Sequence, residues 1–278
     1  MASIHPSAHV EDGATIGDGV EIGPFSVIGP DVAIGAGTRI HSHVVITGHT
    51  TLGPSCDVYP FTTLGEPPQD IKYRGEPTRL EVGAGTLIRE HVTIHRGTPH
   101  GGNITRVGSN CFFMVNAHIA HDCVIGDNVI IINQAMLAGH CEIGDYAIIG
   151  AVCALQQFTR VGKHAFLAAQ TGLATDVIPF GIAKGGRHAS RHPSLHGLNL
   201  VGLRRRGFTR DEILALRESY RILFSGPNHE IADRARRVGE KFAGIGPVGE
   251  LVRFITERPE RNLCLPDPEN AKIEAEGL

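Results

Sequence analysis

The sequence predicts an all-β solenoid plus α: a parallel β-helix of hexapeptide repeats followed by a C-terminal helical domain. Three observations carry that prediction. From Ile4 to Leu64 every sixth residue is aliphatic: Ile4, Val10, Ile16, Ile22, Ile28, Ile34, Ile40, Ile46, Leu52, Val58 and Leu64. The count resumes at Val82, Ile88 and Ile94. It then restarts one residue out of phase at Val107 and runs through Phe113, Ile119, Ile125, Ile131, Leu137, Ile143, Ile149, Leu155, Val161, Leu167 and Leu173. Glycine follows many of these positions, as in Ile16-Gly17 and Ile125-Gly126, and position i+4 holds Val, Ser, Thr, Ala or Cys.

A period of six fits neither an α-helix nor an alternating strand, but it fits a rung made of one short strand and one turn. The aliphatic residue points inward. Glycine beside it permits a tight corner, through positive φ or close backbone approach, and the small residue at i+4 fills a narrow prism. Three hexads close one triangular coil. Coils stack at strand spacing, roughly 4.8 Å, so each residue becomes the vertical neighbour of the one three hexads further on. Each coil touches only its neighbours, and such a column needs few large aromatics. The chain of 278 residues has 5% aromatic residues and no Trp.

In chain order, residues 1–186 read as the coil, interrupted by loops at about 65–81 and 96–106. In the first loop the sixth positions become Asp70 and Glu76, and Glu66 to Pro77 leaves the coil. The second contains Arg96-Gly97-Thr98-Pro99-His100-Gly101-Gly102-Asn103. Loops on a rigid scaffold are where binding residues collect. Past Pro179 the hexads stop, and residues 187–278 read as the helical domain. Thr209-Arg210-Asp211-Glu212 is a capping box. Ile213, Leu216, Tyr220, Leu223 and Phe224 follow at helical spacing, stopped by Gly226-Pro227. Weaker helical patterns lie around 230–242 and 248–256, and the tail after Pro266 is expected to fray.

Lys+Arg number 26 against 29 Asp+Glu, a net charge of −3. Residues 187–261 hold 15 Lys+Arg against 9 Asp+Glu, including Arg204-Arg205-Arg206. That basic balance suits either solvated helical faces or a docking face for an acidic partner or phosphates. Scarce aromatics and negative overall charge argue against nucleic acid. No apolar run approaches the ~20 residues of a transmembrane segment. Cys56, Cys111, Cys123, Cys141 and Cys153 all fall at the inward i+4 position and read as small core residues. Cys123 and Cys141 lie one coil apart, near enough in principle to bridge. With no secretory signal before Met1-Ala2-Ser3, reduced cysteines and a cytoplasmic location are expected.

The chemistry gathers around histidines. His118 and His121 stand in Asn116-Ala117-His118-Ile119-Ala120-His121-Asp122-Cys123, and three hexads beyond Asp122 comes His140 in Leu137-Ala138-Gly139-His140. His121, at i+2 of its rung, is expected to project outward. His121, Asp122, Gly139 and His140 are expected to form one polar patch across adjacent coils. A histidine beside a carboxylate is equipped as a general base, because the carboxylate fixes the tautomer and stabilises the imidazolium. Zinc ligation is the competing reading, but His118 and His121 occupy different rungs with a corner between them, so no metal is expected.

With these residues in view, the chain resembles the acyl-carrier-protein-dependent UDP-N-acetylglucosamine O-acyltransferases that begin lipid A synthesis. The specific stretches are Gln69-Asp70-Ile71-Lys72-Tyr73-Arg74-Gly75-Glu76-Pro77-Thr78, Thr93-Ile94-His95-Arg96-Gly97-Thr98, Asn116 to Asp122, Leu137 to His140, and Arg205-Arg206-Gly207-Phe208. The resemblance implies a left-handed coil, a homotrimer and active sites between neighbouring chains. It implies that His121 takes a proton from the glucosamine 3-hydroxyl, which attacks a hydroxyacyl thioester on acyl carrier protein. Asp122 would support His121, and the Gly139 N–H would stabilise the oxyanion. Gln69, Asp70, Lys72, His118, His140, Gln156 and Gln157 would contact sugar or nucleotide, and Asn199, Arg205 and Arg206 the uridine diphosphate. No cofactor is implied beyond the carrier-protein thioester.

Three positions depart from the family pattern. Gln156 stands where a histidine is common, Val201 replaces an acidic residue, and Ala169 falls where side-chain bulk limits acyl length, which leaves room for an intermediate chain. A 3-amino sugar analogue, giving an amide, is the alternative acceptor. A sister N-acyltransferase is disfavoured because hexads begin at Ile4, leaving no room for its extra domain. Acetyl-CoA-dependent acetyltransferases are disfavoured by the Gln69–Thr78 loop and the helical C-terminus. A metal-dependent hydratase is the rival from another class, and a non-catalytic solenoid would not align Asp122 with His140.

Overall fold

The computed structural model describes residues 1–185 and 193–267, with His229 described for its backbone alone. The boundary expected at 186/187 and the tail beyond 267 lie outside these residues. Short strands, most of them two residues long, build three sheets that form the faces of a triangular prism. The first face begins with Ser3–Ile4, the second with His9–Val10 and the third with Thr15–Ile16. Register confirms the coil length: Ile4 pairs in parallel with Ile22 and Phe113 with Ile131, each pair three hexads apart.

The insertions also obey the register. Across the first loop Leu64 pairs with Ile94, five hexads on instead of three, so the loop adds two whole hexads. Across the second, Ile94 pairs with Ile119, so that loop adds one hexad plus one residue. This is why the aliphatic count keeps its phase past Leu64 and slips by one before Val107. Strands Thr63–Glu66 and Arg79–Val82 bound the first loop, and Thr93–His95 and Ile104–Val107 the second. The excursions are therefore shorter than their sequence outlines, and a single turn of 3-10 helix, Pro99–Gly101, lies in the second. Both leave the prism at the vertex joining the second face to the third.

The aliphatic column is buried from Ile22 to Leu173, whereas the opening coil is more open, with Ile4 exposed. The i+4 residues do more than fill space. Ser26, Thr38, Thr62 and Thr86 each donate a side-chain hydrogen bond to a corner carbonyl of the next coil. The thiols of Cys56, Cys111, Cys123, Cys141 and Cys153 donate to carbonyls in the same way. A small polar group can thus sit in the core without an unmet hydrogen bond. All of these cysteines are free and buried, and burial pushes the Cys111 thiol up to about 11.

Glycines after the aliphatic residue are close-approach positions. A Cβ on Gly35 would lie 2.5 Å from the Pro54 nitrogen, and one on Gly53 2.6 Å from that of Ala84. Positive φ falls instead at i+3 and is taken mostly by other residues, among them Phe25, His43, Asn110, Asp122, His140 and Phe158. Rings at these positions stack up the vertices, as in Phe25, His43, Phe61 and His91.

Strand Gly181–Lys184 closes the first face and pairs antiparallel with Ser194–Leu198, ending the parallel stack. Four α-helices follow among the described residues: α1 (Leu200–Arg205), α2 (Arg210–Leu223), α3 (Ile231–Lys241) and α4 (Gly246–Thr256). The expected capping box closes on α2, with Thr209 and Glu212 bonded reciprocally. α1 has no amphipathic repeat long enough to be read from sequence; Asn199 caps it by accepting from the Gly202 N–H. Asp176, fully buried, joins the helices to the coil. It accepts from Arg160 Nε at 2.7 Å and from Arg261 at 3.0 Å, and Arg160 also packs 4.3 Å over the Phe254 ring.

Replacing Asp176 with Ala strands the buried Arg160 guanidinium. Denaturant titration should show a loss of about 3–5 kcal/mol; an unchanged midpoint would mean that the helices dock by apolar packing alone.

Candidate active site at one vertex of the coil

The vertex from which both loops depart also carries three consecutive turns, at 121–122, 139–140 and 157–158. The backbone welds them together: the His140 N–H donates to the His121 carbonyl at 3.0 Å, and the Phe158 N–H to the Gly139 carbonyl at 3.1 Å. The coil repeat thus brings His121, Asp122, Gly139 and His140 together, as expected. His121 and His140 meet edge to face with centroids 5.2 Å apart, and His140 stacks on Phe158 at 4.4 Å.

Asp122 is the hub. Its Oδ1 accepts from the Thr98 N–H at 2.8 Å, and its Oδ2 from the Thr98 hydroxyl at 2.6 Å and from His121 Nδ1 at 2.7 Å. Burial alone would raise this carboxyl, but the hydrogen bonds from His121 and Thr98 outweigh it and hold Asp122 below the ordinary carboxylate range. An ionised carboxylate can only accept, so His121 must donate from Nδ1. In the neutral tautomer that makes this bond, Nε2 carries the lone pair. Metal ligation would compete with this arrangement: His121, Asp122 and His140 could offer donor atoms within 4.8 Å of one another, yet Asp122 already accepts these three bonds.

One expectation holds in direction only. The His121 side chain does leave the coil's core, but it is only 8% exposed. The second loop folds back over its partner Asp122, with Thr98 bonded to that carboxylate and Gly101 packed against it. A rung position tells which way a residue points, and says nothing of what an insertion does above it. Gly139 matters from the other side: a Cβ would lie 2.5 Å from the His121 Cε1. Among the described residues, nothing accepts from the Gly139 N–H.

The neighbouring histidines are held neutral. Burial, reinforced by His118 and His121, pushes His95 down to about 4. Burial and His121 lower His118, whose Nδ1 lies 2.7 Å from the Thr93 hydroxyl. His140 is lowered chiefly by burial, with Asp122 opposing, His121 reinforcing and Asp70 opposing. The first loop's carboxylate therefore acts on this vertex. Gln69 and Lys72 of the same loop are exposed, as are Gln156 and Gln157 one coil further on. Sequence reasoning gave no role to His95, Thr93, Thr98, Gly101 or Thr105, whose hydroxyl accepts from the Asp122 N–H. The Thr93–Thr98 stretch was visible, but only the folded loop shows that Thr98 closes on Asp122.

Asn199, Arg205 and Arg206 do not join this group within one chain. Asn199 Nδ2 donates to the His164 carbonyl and the Arg206 guanidinium lies 4.3 Å over the Tyr146 ring, at the vertex between the third and first faces. Beside them lies a cavity of about 470 Å³ lined by Asp145, Lys163, His164, Phe180, Arg206 and Glu250 among others. Ala169 sits exposed at the third vertex, between the first and second faces.

A triangular coil of hexapeptides with a buried histidine–carboxylate pair at its loop-bearing vertex defines a hexapeptide-repeat transferase. In agreement, a family model for bacterial transferase hexapeptides, six repeats, matches residues 1–30, 13–48 and 104–139. A second, described as domain 2 of UDP-N-acetylglucosamine O-acyltransferase, matches residues 176–264. The chain is 50% identical over 267 residues to the acyl-(acyl-carrier-protein)-UDP-N-acetylglucosamine O-acyltransferase of Caulobacter vibrioides, covering 96% of this chain and 99% of that one. It is 49% identical to the enzyme of that name from Azorhizobium caulinodans, covering 96% of each. The solved UDP-N-acetylglucosamine O-acyltransferase (LpxA) of Moraxella catarrhalis superposes with a TM-score of 0.86 at 39% identity, over 95% of this chain and 99% of that one. The chain belongs to the acyl-(acyl-carrier-protein)-UDP-N-acetylglucosamine O-acyltransferase family and is an acyltransferase with a left-handed β-helix.

The depressed histidines give a pH signature. His95 and His164 bind protons only near about 4 when folded, against the usual 6.5. The unfolded chain takes up those protons first as pH falls, so stability is full above about 6.5 and declines toward about 4. Denaturation midpoints between pH 7.5 and 4.5 should fall with this sign, and His95→Gln should flatten the slope.

Proposed function

We propose that this chain transfers an (R)-3-hydroxyacyl group from acyl carrier protein to the glucosamine 3-hydroxyl of UDP-N-acetylglucosamine, the first step of lipid A synthesis. The observation that carries the mechanism is the buried His121–Asp122 pair, in which Nδ1 is engaged by the carboxylate and Gly139 packs against the ring. Nε2 removes the proton of the sugar 3-hydroxyl as its oxygen attacks the thioester carbonyl. Negative charge gathers on the carbonyl oxygen, where the Gly139 N–H donates to it. Collapse expels the carrier's thiolate, which takes the proton back from the His121 imidazolium. Asp122 stays ionised and stabilises that imidazolium.

On this reading Gln69, Asp70, Lys72, His118, His140, Gln156 and Gln157 hold the sugar nucleotide at the loop vertex. Asn199, Arg205 and Arg206, from a second vertex, take the diphosphate, and Ala169, from the third, limits the acyl chain. Three vertices of one prism point apart. They can surround one substrate only if different copies supply them, which supports a homotrimer with sites between chains. Chemistry of this kind draws on no metal or cofactor; the thioester supplies the activated acyl group. Among the described residues no helix is long and apolar enough to cross a membrane.

The test is purified protein with UDP-N-acetylglucosamine, and separately with its 3-amino analogue, against 3-hydroxyacyl carrier proteins of several lengths, with products read by mass. Ester formation is expected, on the order of 10²–10⁴-fold slower in His121→Ala with the fold intact. Product from the amino analogue alone would reassign the acceptor and implicate Gln156. Near-normal turnover in His121→Ala would exclude it as the base.

A further inference from the structure

The first loop leaves the coil at Glu66 and returns at Arg79, yet almost nothing in its sequence explains how it keeps a shape. Most of its side chains are exposed, including Gln69, Ile71, Lys72 and Arg74. Tyr73 is half-buried, and its contacts lead to one residue outside the loop. Arg96 Nε donates to the Tyr73 hydroxyl at 3.1 Å, and its guanidinium carbon lies 5.6 Å from the centre of that ring. Arg96 Nη1 donates to the Gly65 carbonyl at 2.8 Å, and the Arg96 N–H to the Glu66 carbonyl at 3.2 Å. One side chain and its own backbone therefore grip the loop's departure point and its middle.

From Tyr73 the contacts pass into the loop. Its hydroxyl donates to the Glu76 carbonyl at 2.5 Å, and the Tyr73 N–H to the Asp70 carbonyl at 3.0 Å. Asp70 Oδ1 in turn accepts from the Lys72 N–H at 2.9 Å. The chain of contacts thus ends on Asp70 and Lys72. The scaffold is shaped for the guanidinium as well: a Cβ on Gly48 would lie 2.4 Å from Arg96 Nη1, so this glycine, at φ 58°, leaves the room that Arg96 occupies.

We propose that Arg96 is a positioning residue that latches the first loop through Tyr73, fixing Asp70 and Lys72 where they meet the sugar nucleotide. The proposal rests on reading that loop as substrate-binding. It assigns Arg96 no contact with substrate. Because the planar fork reaches two acceptors at once, lysine cannot replace it: an ammonium on a flexible stem can satisfy one of them at most. Loss of the latch should let the loop sample other conformations, so binding suffers first and the chemistry at His121, oriented by Asp122 and not by the first loop, is spared.

The experiment is steady-state kinetics on Arg96→Lys, Tyr73→Phe and the double variant, with Lys72→Ala as the reference for the loop itself. Both single variants should raise KM for the sugar nucleotide about 10-fold while kcat stays within about 3-fold, and melting temperatures should match the parent. The effects in the double variant should be clearly less than multiplicative, because either single variant already breaks the Arg96–Tyr73 contact. Multiplying effects, or a fall in kcat at constant KM, would overturn the latch. So would parental KM in both single variants when Lys72→Ala raises it. If Lys72→Ala also leaves KM unchanged, the substrate-binding reading of the loop fails instead.

Discussion

Every other feature of this molecule depends on vertical register. A residue's neighbour above and below is fixed by the coil length, and turn amides bond to carbonyls of the adjacent coil, as His140 does to His121 and Phe158 to Gly139. An insertion is therefore tolerated only where the chain can leave and return to the same point of the prism. Both loops meet that condition at one vertex. The longer adds two whole hexads and keeps the phase; the shorter adds one hexad and a single extra residue, and the phase slips by one. What is constrained is the point of return, because backbone pairing on the faces must resume wherever the loop ends.

Register also decides where unusual backbone geometry goes. Left-handed residues recur once per rung at many corners, and a non-glycine residue there costs on the order of 1 kcal/mol. Asp122 and His140 share this conformation with Phe25, Tyr146 and Gln170, which lie at other vertices. Positive φ is accordingly no mark of the site. What distinguishes Asp122 is burial of an ionised group that accepts three hydrogen bonds, an arrangement that has to be complete to be stable. The second loop completes it through Thr98 and, with Gly101 against the carboxylate, covers Asp122.

How much of this was legible follows from the same distinction. Periodicity specifies which residues point inward and which lie one coil apart, so the coil, the cysteines' place in it, and the meeting of Asp122 with His140 could all be read from the sequence. Loops obey no period. The closure of Thr98 over Asp122 and the grip of Arg96 on Tyr73 join residues at separations that no repeat in the chain dictates. The helical part divides likewise. α2 announced itself by its capping box and amphipathic spacing, whereas α1, at six residues, is too short to show a pattern and forms because Asn199 caps it against the end of the coil.

Separation of the vertices bears on how specificity can change within this architecture. Gln156 lies on the loop vertex, Ala169 on the vertex between the first and second faces, and Val201 on α1 beside the vertex that holds Arg206. On the proposed reading these positions face the acceptor atom, the end of the acyl chain and the nucleotide. No coil connects them by direct contact, and the aliphatic column beneath each is unaffected by what projects from the corner. Substitutions at sites without shared partners combine nearly additively. Acceptor, chain length and nucleotide recognition can then be altered one at a time, with the His121–Asp122 pair and its enclosing loop left as they are.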